Sequence, residues 1–155
     1  MLWHPPIRVD KFKITQKFLN PDKVNYPKTG HHPGVDYGTQ GELSVPLYFC
    51  ADGEIIETGV NQFAGNYFYY YIPEVDRTLV YFHLKFQAPP KGYYKTGGFA
   101  GFTGNTGLST GPHLHLECMK GKKTSTDRVK LYTSLDALKA AAEDADILIR
   151  KNISG

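Results

Sequence analysis

Residues 107–117 read GLSTGPHLHLE, a glycine-punctuated turn that runs into two histidines separated by one leucine. In an extended strand the side chains at i and i+2 point to the same face, so His113, His115 and Glu117 project together. An HxH pair of this kind has three readings: two metal ligands, a ligand beside a catalytic group, or two ordinary histidines of a half-buried strand. Which one holds depends on partners elsewhere in the chain.

Working outward, the composition is that of a β protein. Among 155 residues there are 16 glycines, 10 prolines, 11 tyrosines and 9 phenylalanines, and short aromatic or β-branched runs alternate with turn residues. Strands are expected at SVPLYFC (44–50), GEIIETGV (53–60), NYFYYYI (66–72), RTLVYFHLKF (77–86), FAGFTG (99–104) and PHLHLECM (112–119). The connections ADG, NQFAGN, PEVD and APPKGYYKTGG carry the Gly, Pro, Asn and Asp of tight reversals, and such short links favour antiparallel pairing. Residues 1–43 hold little periodicity and are expected to form an ordered loop wrapped onto the sheet, of a length that is usually functional. In SLDALKAAAEDADILI, Ser134 is an N-cap and Leu135, Leu138, Ala142, Ala145 and Leu148 recur at near-helical spacing, which predicts one helix over 134–149 covering part of the sheet. The expected organisation is one mainly β domain spanning 1–155, with its β core at 44–119.

Charge excludes little. Eighteen Lys and Arg against fifteen Asp and Glu give +3, compatible with an anionic polymer such as a bacterial wall but too small to indicate nucleic acid. Cys50 and Cys118 are too few for a disulfide framework and are expected to be buried free thiols. The opening MLWHPPIRVDKFKITQ lacks the apolar core of a signal peptide, and no apolar run has the length of a membrane span.

Partners for the HxH pair are found in HHPGVDYG at 31–38. Pro33 and Gly34 disfavour a helix between His32 and Asp36, so an imidazole and a carboxylate can reach one point from an extended or turn segment. Two histidines and one aspartate make a catalytic zinc pattern with a fourth position open. His31 competes with His32 for that place. His83, inside LVYFHLKF, is expected to share a strand face with Tyr81 and Lys85.

HPGVD at 32–36, YFHL at 81–84 and GNTGLSTGPHLHLE at 104–117, in this order, resemble the lysostaphin or LytM type of zinc metallopeptidase, over about Ile14 to Glu117. The resemblance implies a largely antiparallel β-sheet with a substrate groove, and one zinc per chain bound by His32, Asp36 and His115. It implies His83 and His113 as catalytic histidines and peptide bonds of bacterial peptidoglycan as the substrate. A metal lowers the pKa of water and polarises the scissile carbonyl; one imidazole then accepts a proton while the other stabilises the oxyanion, with His113 favoured as base. Glu117 is either a base or, in the preferred reading, a carboxylate that orients an imidazole. The glycines at 104, 107 and 111 are turn-makers or an opening for substrate backbone. QKFLNPDK (16–23) departs from the Phe-Gly common in that family, which leaves contacts from Asn20 undefined.

Two other classes compete. An inactive relative kept as a wall-binding or activator module would have lost zinc ligands, and all are present. A cupin-like barrel also uses HxH, but wants a glutamate where this chain has Met119 and Lys120. Without an export signal, the expected route to the wall is a phage virion or release at lysis, with the protein a monomer.

Overall fold

The alternation of β9 (His113–Lys120) organises the molecule. Its even positions, Leu114, Leu116 and Cys118, enter one apolar core, while the odd ones, His113, His115 and Glu117, lie on the other side, where Met119 joins a second core. The computed structural model describes residues 2–153. Before β9 come β1 (Lys13–Gln16), β2 (Val35–Gly38), β3 (Pro46–Tyr48), β4 (Gly53–Asn61), β5 (Gly65–Ile72), β6 (Arg77–Leu84), β7 (Gly92–Tyr94) and β8 (Phe99–Phe102). After it come α1 (Ser125–Leu131), α2 (Leu135–Ala141), β10 (Ala142–Glu143) and α3 (Ala145–Ile153). The main sheet runs β1-β2-β9-β6-β5-β4-β7, with β10 added to β9, and β3 and β8 form a separate ribbon. Every pairing is antiparallel, as the short connections predict.

Register carries the consequence for function. Asp36 on β2 lies opposite His115, and on the other flank Phe82 of β6 does the same, with Val80 opposite Glu117. Residues directly opposite share a face, so β2 and β9 together build one polar strip on the sheet, flanked by Val80 and Phe82 of β6. The reverse face, with Val35, Tyr37, Leu79, Tyr81, Leu114 and Leu116, is covered by the β3–β8 ribbon, the N-terminal segment and α3. Cys50 and Cys118 are buried and unbridged, as expected.

Three expectations need correction. Residues 1–43 are not wholly loop: Val35 and Tyr37 alternate with Asp36 and Gly38, and this four-residue strand, with β1 beyond it, completes one edge of the sheet. The helix expected over 134–149 is broken in two. β2 pairs with β9 only as far as Leu116, and Ala142 and Glu143 leave the helical path to satisfy the backbone of Met119 and Cys118 beyond it, since a bare ladder edge is costly. Glu143 is also held by Arg77 Nε at 2.6 Å, and the Asp144 carboxylate then accepts from Asp146 N and Ile147 N to start α3 afresh. Ser134 does cap α2, through Ala137 N. A further helix, α1, went unpredicted; Thr124 and Asp127 close a capping box on its first turn. Among the described residues no helix is long and apolar enough to cross a membrane.

Gly34 sits where β2 enters the sheet. A Cβ there would meet Leu116 O at 2.5 Å and Glu117 Cγ at 2.9 Å, so any side chain pushes β2 off β9. Gly34→Ala is expected to cost about 1–3 kcal/mol, the usual range for overpacking. Urea unfolding should show a lower midpoint at unchanged slope, and an unaltered midpoint would refute the packing argument.

Candidate metal centre

Three side chains converge on the polar strip. His32, at the mouth of β2, Asp36 on β2 and His115 on β9 place one ligand atom each within 4.8 Å of the others. His32 Nε2 is 3.2 Å from His115 Nδ1 and 3.2 Å from Asp36 Oδ1, and His115 Nδ1 is 2.9 Å from that oxygen. Zinc bonds of ~2.1 Å at tetrahedral angles space ligand atoms about 3.4 Å apart, a little wider than this triangle. His31 stands outside it, its Nδ1 turned to the Thr29 carbonyl at 3.0 Å.

The outer hydrogen bonds decide what these atoms offer. His32 Nδ1 faces the Lys17 carbonyl at 3.2 Å, and a carbonyl only accepts, so that nitrogen carries the proton and Nε2 a lone pair. His115 Nε2 faces Glu117 Oε2 at 2.7 Å; it donates there, leaving Nδ1 a lone pair. In the neutral rings, two imidazole lone pairs and a carboxylate oxygen thus point at one spot. Such a set can hold a cation, and two nitrogens with one oxygen fit zinc.

The electrostatics agree. Burial works against a charge on His115, yet hydrogen bonds to Asp36 and Glu117 outweigh it and lift its pKa to about 9. Burial likewise opposes the Asp36 charge, but His115 and His32 hold that carboxyl well below the usual range. The site attracts positive charge, and a metal ion would compete there with a proton.

Glu117 is 0% exposed and fully engaged. Oε1 accepts from Arg128 Nε at 2.8 Å and Tyr132 Oη at 3.0 Å, and Oε2 from Arg128 Nη2 at 2.7 Å and His115. Burial raises its pKa, but Arg128 and then His115 more than reverse this and keep it well below the carboxylate norm. With no lone pair to spare, Glu117 is placed to orient His115, not to take a proton from water.

His83 and His113 stand beside the triangle, with ring centroids 4.7 Å apart. His83 was expected on the face of Tyr81 and Lys85, but it has a left-handed φ of +67°. This turns its ring out of strand alternation, so that it lies 6.0 Å from the His115 ring, on the side of its neighbour Phe82. A non-glycine residue in that region costs about 1–3 kcal/mol, and such strain gathers at functional sites. Its N–H donates to Ala64 O at 2.8 Å and its Nδ1–H to Thr106 O at 2.7 Å. Burial, then His115 and His113, lowers its pKa to about 4. His113 Nδ1–H donates to Gly111 O at 2.8 Å, and its Nε2 lies 3.7 Å from Asp36 Oδ1.

The cluster floors a cleft of about 130 Å³ whose walls include Asp22, Asn25 and Tyr26 from the N-terminal loop, Phe63, and Leu108 to Thr110. Asn20 takes part through its backbone: its carbonyl accepts from His32 N at 2.8 Å, while Leu19 N donates to His32 O at 2.8 Å. Two of the three glycines serve the chain's own packing: a Cβ on Gly104 would lie 2.5 Å from Lys85 Cα, and one on Gly107 2.3 Å from Gly65 N. Gly111 faces open space. Sequence reasoning missed Tyr26, whose ring lies edge-on to His32 at 5.7 Å, and Arg128 and Tyr132, whose i, i+4 spacing on a short helix was the available signal.

Comparison with known proteins adds lineage to this geometry. A profile for peptidase family M23 matches residues 30–128, which carries the likeness past Glu117 to Arg128. The chain is 34% identical over 146 residues to peptidoglycan DD-endopeptidase ShyB of Vibrio cholerae, covering 92% of this chain and 30% of that protein. To lysostaphin of Staphylococcus simulans it is 34% identical over 95 residues, 58% of this chain and 18% of the other. It thus spans about a third or less of the length of these relatives. A crystallised zinc-containing peptidase from Vibrio cholerae superposes with a TM-score of 0.64 at 32% identity, over 76% of this chain and 36% of that one. The catalytic domain of lysostaphin gives 0.69 at 24% identity, over 91% and 94%, a likeness of fold. The chain belongs to peptidase family M23, the lysostaphin and LytM type of peptidoglycan hydrolase.

Proposed function

We propose that this chain is a zinc-dependent endopeptidase that cuts peptide bonds in bacterial peptidoglycan. His32, Asp36 and His115 serve as the metal ligands, and His83 and His113 as the catalytic histidines. The observation that carries the reading is the convergence of three lone-pair donors on one point, 2.9–3.2 Å apart, with two further imidazoles alongside. Zinc at that point supplies Lewis acidity, polarising a carbonyl and bringing the pKa of water towards ~7.

The protein's part is proton handling and placement. His83 and His113 each anchor Nδ1–H on a backbone carbonyl, so each turns Nε2 to the cleft. In the neutral ring that atom accepts a proton, and in the charged ring it donates to a developing oxyanion. Two imidazoles in adjacent positions therefore cover both tasks without a glutamate base, which suits a chain whose nearby glutamate is saturated. The names of the relatives, a DD-endopeptidase of peptidoglycan and lysostaphin, support the polymer as substrate.

One zinc per chain is expected by elemental analysis. A chelator should abolish release of wall fragments and added zinc should restore it; full activity in metal-free protein would sink the proposal. His83→Ala and His113→Ala should each keep zinc and lose about 10²–10⁴ in turnover, whereas His115→Ala should lose zinc as well. Variants of His83 and His113 that both stay fully active would show that the proton work is done elsewhere. Mass analysis of digested peptidoglycan should reveal fragments with new amino termini at a single bond type, and intact cross-links and stem peptides would count against a peptidase of this polymer.

A further inference from the structure

The strip on which the histidines lie is backed by a guanidinium. Arg128 holds both oxygens of Glu117 as a fork, at 2.8 and 2.7 Å, and Glu117 in turn accepts from His115 Nε2. The same guanidinium lies over the ring of Phe82, 5.3 Å from its centroid, and Phe82 stacks on the His115 imidazole at 5.0 Å and 21°. Arg128 thus reaches one imidazole by two routes, a chain of hydrogen bonds at its edge and a ring against its face. Phe63 and Tyr132 close around the guanidinium at 5.9 and 4.7 Å.

The surrounding structure holds this side chain in place. The capping box of Thr124 and Asp127 fixes the start of α1, Ser125 N is tied to Glu57 Oε1 at 3.0 Å, and Tyr132 at the end of α1 adds its hydroxyl to Glu117. Without the fork, a carboxylate in this pocket would be an unpaired buried charge. With nothing to hold it against His115 Nε2 it would turn away, and stop fixing which nitrogen of His115 carries hydrogen.

We propose that Arg128 is a positioning residue of the metal centre: by locking Glu117 and Phe82 against His115, it aims His115 Nδ1 at the ion. The inference rests on the zinc reading of the site above. Lysine cannot replace arginine here, because an ammonium lacks the planar fork that grips both carboxylate oxygens.

The test uses the whole chain, with zinc affinity measured by competition against a chromophoric chelator and the visible spectrum recorded on the cobalt(II) form. Arg128→Lys should weaken zinc binding about 10–100-fold, the usual effect of losing a partner behind a ligand, and alter the cobalt bands. Tyr132→Phe should do so less. A purely structural ion pair would lower the melting temperature of the metal-free protein while leaving affinity and spectrum unchanged, and that result would overturn the inference. If Arg128→Lys fails to fold, the pair Glu117→Gln with Arg128→Gln removes both charges together, and wild-type zinc affinity in that variant would overturn it equally. Wild-type protein that binds neither metal would instead remove the zinc reading, a failure distinguishable from the first.

Discussion

The pairing of β2 with β9 is the constraint on which the molecule turns. It sets Asp36 against His115, brings His32 to the head of the same strand, and leaves so little room that only glycine fits at position 34. A slip of one residue would carry every side chain of β2 to the other face, taking Asp36 into the apolar core and Val35 and Tyr37 out of it. The hydrophobic demand of that core therefore fixes the metal geometry. The same two-residue period that buries Leu114 and Leu116 presents His113, His115 and Glu117.

Burying so many polar groups is expensive unless each finds a partner. Lys17, Thr106 and Gly111 give carbonyls to three imidazoles, and Glu117 serves the fourth. These bonds also select tautomers, so that the lone pairs of the neutral rings are turned inward. Arg128 offsets the charge of Glu117 and leaves Asp36 facing the imidazoles, so the strip attracts positive charge without the cost of two uncompensated carboxylates.

Around this floor the loops do the shaping. The N-terminal segment and residues 108–110 wall the cleft, and close backbone contacts at Gly104 and Gly107 hold the second of these against the sheet. His83 enters through a single left-handed residue within its strand, at a conformational cost that its bonds to Ala64 O and Thr106 O help to offset.

Much of this was legible in the sequence because it rests on local periodicity and on residue chemistry. The alternation at 112–119 places His113, His115 and Glu117 on one face, the HPGVD segment offers a histidine and a carboxylate in extended chain, and the aromatic or β-branched runs predict five further strands. What escaped depends on contacts between distant segments. β2 is too short to announce itself and exists because β9 needs a partner; the break at Ala142 and Glu143 is imposed by the unpaired edge of β9 against the helical preference of an alanine-rich run. The turn of His83 into the site follows from a single left-handed residue that no two-residue period can forecast. Arg128 and Tyr132 lay on a helix too brief to recognise, and only the fold brings them behind Glu117. Sequence determined which groups were on offer, since side-chain chemistry and period are written residue by residue. Tertiary structure decided which of them meet, because register, edge pairing and buried charge are settled only when strands far apart in the chain come into contact.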